Sequence, residues 1–149
     1  MIRLLFCTAL CLALTGCSQD FTVRNYPSPD DFLTSWNHRA PGHLRVDGWA
    51  KMDPQVLMGS TDEGMSLAFN SRNRAFGVIA ENTDRQFPFA CQTLYSMFLG
   101  GSGKEASNAY ARVTAQSGLV KSITKIGIKF RVFINPSNGS IICNVSPEV

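Results

Sequence analysis

The sequence predicts an α+β domain: an antiparallel sheet of about five strands, covered on one face by helices and held by one intramolecular disulfide. Ile126, Ile128, Phe130, Val132 and Ile134 alternate with Gly127, Lys129, Arg131 and Phe133, which is the period of a half-buried strand. Between Phe87 and Phe98 the apolar residues instead recur at spacings of three and four, the stripe of an amphipathic helix. Strands and helices come in separate runs, without the β-α-β alternation that builds a parallel sheet.

Element by element, Ser28-Pro29-Asp30-Asp31 has the form of a helix start, with Ser28 as cap and Pro29 at the first helical position. That helix carries Phe32, Leu33 and Trp36 on one side and must stop before Pro41-Gly42. Leu44, Val46 and Gly48 then alternate with Arg45, Asp47 and Trp49, predicting a strand. Val56 to Ser60 reads as an edge segment or as loop. Met65 to Phe69 and Ala75 to Glu81, joined by a polar stretch, predict a hairpin.

The helical period returns at Asp84 and ends at Gly100-Gly101; Ser102-Gly103-Lys104-Glu105 is a capping box opening a second helix, with Gly118 as its C-terminal cap. The run from Ile126 to Ile134, the turn residues Asn135 to Gly139, and Ile141, Cys143 and Val145 complete a final hairpin.

The N-terminus carries the most specific motif. Arg3 precedes an uncharged stretch, Leu4 to Leu14, which is too short for the ~20 residues a membrane-spanning helix needs and fits the apolar region of a signal peptide. Leu14-Thr15-Gly16-Cys17 closes it and resembles the lipobox of bacterial lipoprotein precursors; the resemblance covers residues 1–20 only. It implies a signal peptide over residues 1–16, cleavage before Cys17, a diacylglyceryl group on the Cys17 thiol and an acyl chain, such as palmitate, on the new amine. Two or more chains anchor a protein stably where one does not.

Ser18 follows Cys17, where an Asp would favour retention in the inner membrane of enterobacteria. The resemblance therefore points to an outer-membrane lipoprotein facing the periplasm. Residues 17–28 are expected to form a lipidated tether and residues 29–149 a single periplasmic domain. Hydrophobic residues make up 44% of the chain and charged residues 17%, enough to fill a core and too apolar for disorder.

Of the five cysteines, Cys7 and Cys11 leave with the signal peptide and Cys17 takes lipid, so Cys91 and Cys143 remain. In an oxidising compartment two remaining thiols predict a disulfide. Cys143 shares parity with Ile141 and Val145, and Cys91 lies on the apolar stripe of its helix, so both sulfurs are expected to face the core. A metal site or a reactive thiol is the alternative, and neither has ligand partners at suitable spacing.

No enzyme signature emerges. His38 and His43 stand on either side of the helix-breaking Pro41-Gly42, and no Gly-x-Ser-x-Gly elbow occurs. Gly100 to Lys104 lacks both the earlier glycine and the following hydroxyl of a phosphate loop. No catalytic residue, metal or cofactor is predicted.

Charge is unevenly distributed: residues 17–99 carry 7 basic and 9 acidic side chains, residues 100–149 carry 6 and 2. Lys121, Lys125, Lys129 and Arg131 share odd parity, and on one continuous strand they would form a basic stripe on the outer face of the sheet. They are the candidate partner-binding residues, for an acidic envelope protein, lipopolysaccharide phosphates or peptidoglycan carboxylates; nucleic acid is not expected in this compartment. The functional expectation is a non-enzymatic lipoprotein serving an envelope assembly of secretion, conjugation or pilus type. The alternatives are a periplasmic inhibitor or immunity protein, or an envelope enzyme holding His38 or His43 against a carboxylate.

Overall fold

The computed structural model describes residues 19–148, so the lipobox, Cys17 and Val149 lie outside the described residues. Among the described residues, three α-helices, α1 (Pro29–Arg39), α2 (Phe87–Leu99) and α3 (Gly103–Thr114), accompany seven strands. The strands are β1 (Ala50–Asp53), β2 (Val56–Ser60), β3 (Ser66–Asn70), β4 (Ala75–Ala80), β5 (Val120–Lys125), β6 (Ile128–Ile134) and β7 (Ile141–Pro147). They form one antiparallel sheet in the order β1-β2-β3-β4-β7-β6-β5.

The α+β architecture agrees with the sequence; the strand number does not, because the sheet has seven strands rather than five. Val56–Ser60 is a full strand, and Val120–Lys125 adds an edge that the sequence hid inside an apparently continuous run. Ile126 and Gly127 break that run as a two-residue hairpin with φ of 49° and 76°. Positive φ at both central residues is what a tight hairpin with the right twist demands, and a β-branched residue such as Ile126 rarely supplies it.

The strand expected over residues 44–49 is absent. Gly42–Leu44 is a short 3-10 turn, and the chain then runs as a strap across β2. Leu44 and Val46 are buried, as their alternation requires, but the backbone of Val46 pairs with a side chain instead of a strand. The Asn37 amide donates to Val46 O at 2.7 Å and accepts from Val46 N at 2.9 Å, acting as a one-residue strand edge. Gly59 lies beneath: a Cβ there would come 2.3 Å from Val46 Cγ1 and 2.9 Å from Gly48 O, so β2 has a bare backbone where the strap crosses it.

Helix starts follow the expected chemistry. Ser28 accepts from Asp31 N at 3.2 Å and Ser102 accepts from Glu105 N at 3.2 Å, each satisfying a first-turn N–H that has no helical partner. α2 begins at Phe87 rather than Asp84; the Asp84 carboxylate instead accepts from Gln86 N at 2.7 Å in a turn ahead of the helix. α3 ends at Thr114 with Ala115 as its cap, and Gly118, at φ 109°, belongs to the turn into β5.

The core lies between the helices and one face of the sheet. Phe32 of α1 stacks on Phe76 of β4 with ring centroids 4.2 Å apart, and Tyr95 of α2 meets Phe130 of β6 edge-on at 5.4 Å. Cys91 and Cys143 are bonded, with Cα atoms 6.0 Å apart, pinning α2 to β7 at the centre of the sheet. Both are fully buried, as their periodicities predict. No helix among the described residues is long and apolar enough to cross a membrane.

The tether expectation also needs correction, because the chain is part of the domain from Gln19 onward. Asp20 N and Phe21 N both donate to Met97 O, at 2.9 and 3.0 Å, and Phe21 is buried against Phe98 with ring centroids 5.4 Å apart. Tyr26 packs at a tilt against Phe98 with ring centroids 5.4 Å apart, so the segment read as polar spacer contributes one aromatic ring to the core and packs a second against it.

Candidate functional site: the open face of the sheet

Residues paired across an antiparallel ladder project to the same side, so the register assigns every strand residue to a face. One side packs under the helices through rows such as Gly59, Leu67, Val78, Cys143 and Val132. Among the described residues, no helix lies over the opposite side. Its central rows are Met58, Ala68, Gly77, Asn144, Arg131 and Ser122, and beside them Ser66, Ile79, Ile142, Phe133 and Val120.

The four cations expected to form one stripe are divided between the two faces. The hairpin at Ile126-Gly127 pairs Lys121 with Val132 and Lys125 with Ile128, so both lysines project to the helix side. Lys121 Nζ donates to Thr114 O at 2.8 Å, placing its charge at the carbonyl end of α3, where the helix dipole favours a cation. Lys125 borders a groove with Tyr95, Glu105, Asn108 and Arg112. Only Lys129 and Arg131 lie on the open face, opposite Thr124 and Ser122.

What the open face offers is therefore two cations beside an apolar row. Ile79, Ile142 and Phe133 are half-buried and Val120 is exposed, side by side on adjacent strands. From β2 to β7 the register puts no carboxylate on this face among the described strand residues. Gly77 keeps the centre flat: a Cβ there would meet Cys143 O at 3.0 Å and Asn144 Cβ at 3.2 Å. Arg131 donates through a terminal guanidinium nitrogen to Ser146 Oγ at 2.8 Å, while its Nε and the cross-strand Asn144 Oδ1 are buried with no hydrogen-bond partner. Such groups are costly to leave unmet and mark a spot of unsatisfied polar demand in the middle of the surface.

The β5 edge of the sheet is blocked. Gln116 Nε2 donates to Ser122 O at 2.9 Å and its Oε1 accepts from Ser122 N at 3.0 Å, occupying backbone groups that an added strand would need. At that edge a partner would thus meet side chains rather than extend the ladder.

His38 lines a groove with Asp20, Asp31 and Ser35, the placement against a carboxylate that the enzyme alternative expects, whereas His43 does not line it. His43 Nε2 lies 3.4 Å from Gln86 Oε1. His38 sits near Asp20, whose carboxylate is gripped by Arg39 at 2.7 Å and accepts from the Ser35 hydroxyl. Burial pushes the Asp20 carboxyl up, but the Arg39 and Ser35 hydrogen bonds and the charges of Arg39 and His38 outweigh it, and the net shift is downward. Burial raises Tyr26, Tyr95 and Tyr110, which stay protonated. Among the described residues, no group of three or more His, Cys, Asp or Glu side chains could hold a metal ion.

The sequence places Lys129 and Arg131 on the outer face of the sheet, as the register does, but it hides the apolar row beside them, because Phe133 and Ile142 occupy the parity assigned to solvent. That parity was itself the available signal: strands that alternate apolar residues with further apolar residues are apolar on both faces. Comparison with known proteins finds no matching family model, no matching curated protein and no matching solved structure.

Proposed function

We propose that this protein is a bacterial envelope lipoprotein, held by acylated Cys17 in the outer membrane, that binds a protein partner through the open face of its sheet. It acts without catalysis, as a component of an envelope assembly of secretion, conjugation or pilus type. One observation supports the binding site above all: a sheet face with no helix of the described residues over it that combines an apolar row, Ile79, Ile142 and Phe133, with Lys129 and Arg131, its one described strand carboxylate, Asp53, standing at the far β1 edge. An acidic partner with an apolar centre complements it, the cations directing encounter and the apolar row supplying contact area. The lipobox supports the anchor.

Cys17→Ala is expected to abolish lipid labelling and release the protein from membranes; retention of that variant together with an unlabelled wild type would refute the anchor. Reversing Lys129 and Arg131 to Glu is expected to weaken partner capture by tenfold or more, about 1.4 kcal/mol per decade. Lys125→Glu, on the helix side, leaves capture unchanged. Equal loss in both variants would remove the site from the open face.

A further inference from the structure

The chain beside the lipidation site is clamped to the helical side of the domain. Gln19 Nε2 donates to Phe98 O at 2.7 Å, at the carbonyl end of α2. Asp20 follows with two backbone and side-chain restraints: its N–H bonds Met97 O at 2.9 Å, and its carboxylate takes Arg39 Nε at 2.7 Å and a second guanidinium nitrogen at 3.0 Å. Phe21 closes the clamp in the core.

Covalent geometry sets the consequence. Cys17 is two Cα steps from Gln19, so at about 3.8 Å per step its Cα lies within about 8 Å of a fixed point on the domain. The headgroup layer between water and hydrocarbon is itself only about 5–8 Å deep. A protein acylated at Cys17 and clamped at Gln19 has no slack to stand clear of the bilayer.

The clamp also selects the side that meets lipid. Gln19 docks at the end of α2 beside Gly100, where it lines a groove with Asp20, Asp31 and His38, and a second groove, of about 320 Å³, runs from the neighbouring Gly101 along the outer surface of α2. Arg39, Gly101, Ser96, Gln92 and Phe89 border it, with the Asp20 carboxylate bound to Arg39 and the Glu105 carboxylate lying over Gly101. Phe89 is 49% exposed although it is a large aromatic. Lys104 is exposed in the adjoining first turn of α3. The exposed aromatic ring and Lys104, beside Glu105 in the same turn, suit the polar headgroup zone, where aromatic side chains concentrate and anionic lipids attract Lys.

We propose that this helical surface rests on the lipid headgroups of the membrane, so that the open face of the sheet, on the opposite side of the domain, points away from the membrane. The inference rests on acylation of Cys17.

The test places a fluorinated phenylalanine at position 89 or at position 133 of the acylated protein. Each is reconstituted in vesicles of phosphatidylethanolamine and phosphatidylglycerol that include a lipid with a gadolinium-chelated headgroup. The fluorine resonance at position 89 is expected to broaden away while that at position 133 persists. A Gly-Ser spacer of about ten residues after Ser18, ~17 Å in r.m.s. span, is expected to keep the protein on the vesicles and to restore the signal at position 89. Broadening alike at both positions of an acylated, vesicle-bound protein would overturn the orientation alone. A chain whose mass shows no acyl group and which does not sediment with vesicles would overturn the anchor, and the orientation with it.

Discussion

Asp20 shows how one side chain converts a sequence tail into part of a fold. Its carboxylate is charged because Arg39 and Ser35 bind the charged form more strongly than burial disfavours it. Since its folded pKa is depressed, the stability it contributes is present above the ordinary value of 3.8 and is lost as pH falls through the lower folded value. The amide of Phe21, which donates to Met97 O, is therefore expected to lose hydrogen-exchange protection on acidification below that range. Asp20→Asn should reduce protection at neutral pH and flatten the acid dependence. Unchanged protection in that variant would show that the aromatic contacts alone hold the segment.

Cys91 and Cys143 belong to the same scale. The bond closes a loop with a sequence separation of 52, worth about 4 kcal/mol on the chain-entropy model. Cys91→Ala and Cys143→Ala are expected to cost similar amounts in denaturant unfolding, and the double variant little more than either, because all three delete one bond. Additive losses would mean that each sulfur stabilises the core separately. This pair was legible because two unrelated periods placed both residues inward. The clamp was not, since nothing in Gln19-Asp20-Phe21 signals a partner that lies far along the chain.

At the scale of elements, local chemistry was readable and long-range substitution was not. Ser28, Ser102 and the glycines after α2 announce helix ends because capping is decided within four residues. The strap over residues 44–49 misled because its alternation is real: Leu44 and Val46 are core residues, but the ladder partner is the amide of Asn37. Gly59→Ala tests that arrangement, since its Cβ would strike both Val46 and the Gly48 carbonyl. A loss of about 1–3 kcal/mol is expected, as for other overpacked cores, with a larger crossing strain than Gly42→Ala, where a Cβ has open space. Equal stability of the two variants would show that the strap lifts without cost.

The hairpin at Ile126-Gly127 has the widest consequence among the elements. A two-residue turn shifts facing by one position, so odd and even residues exchange sides between β5 and β6. Four cations that share parity in the chain are thereby split, with Lys121 serving α3 and Lys129 and Arg131 left on the open face. Only a turn residue of strong left-handed preference at position 126 would have revealed this, and isoleucine is the opposite.

At the scale of the whole molecule, the proposed function gives opposite duties to the two layers. The helices bury one side of the sheet and carry the clamp next to Cys17; the other side keeps an apolar row and two cations uncovered. The layered architecture follows from the sequence's segregated runs of strand and helix. The function of the open side does not, because exposure of Phe133 and Ile142 depends on which strands close over them. A photo-crosslinking amino acid at Phe133 or Ile142, compared with one at Gln92 on the helical side, measures this directly in the intact envelope. The account predicts one common protein adduct from both sheet positions, lost when Lys129 and Arg131 are reversed to Glu, and no such adduct from position 92. The same adduct from position 92, or sheet-face adducts that survive the reversal, would contradict it.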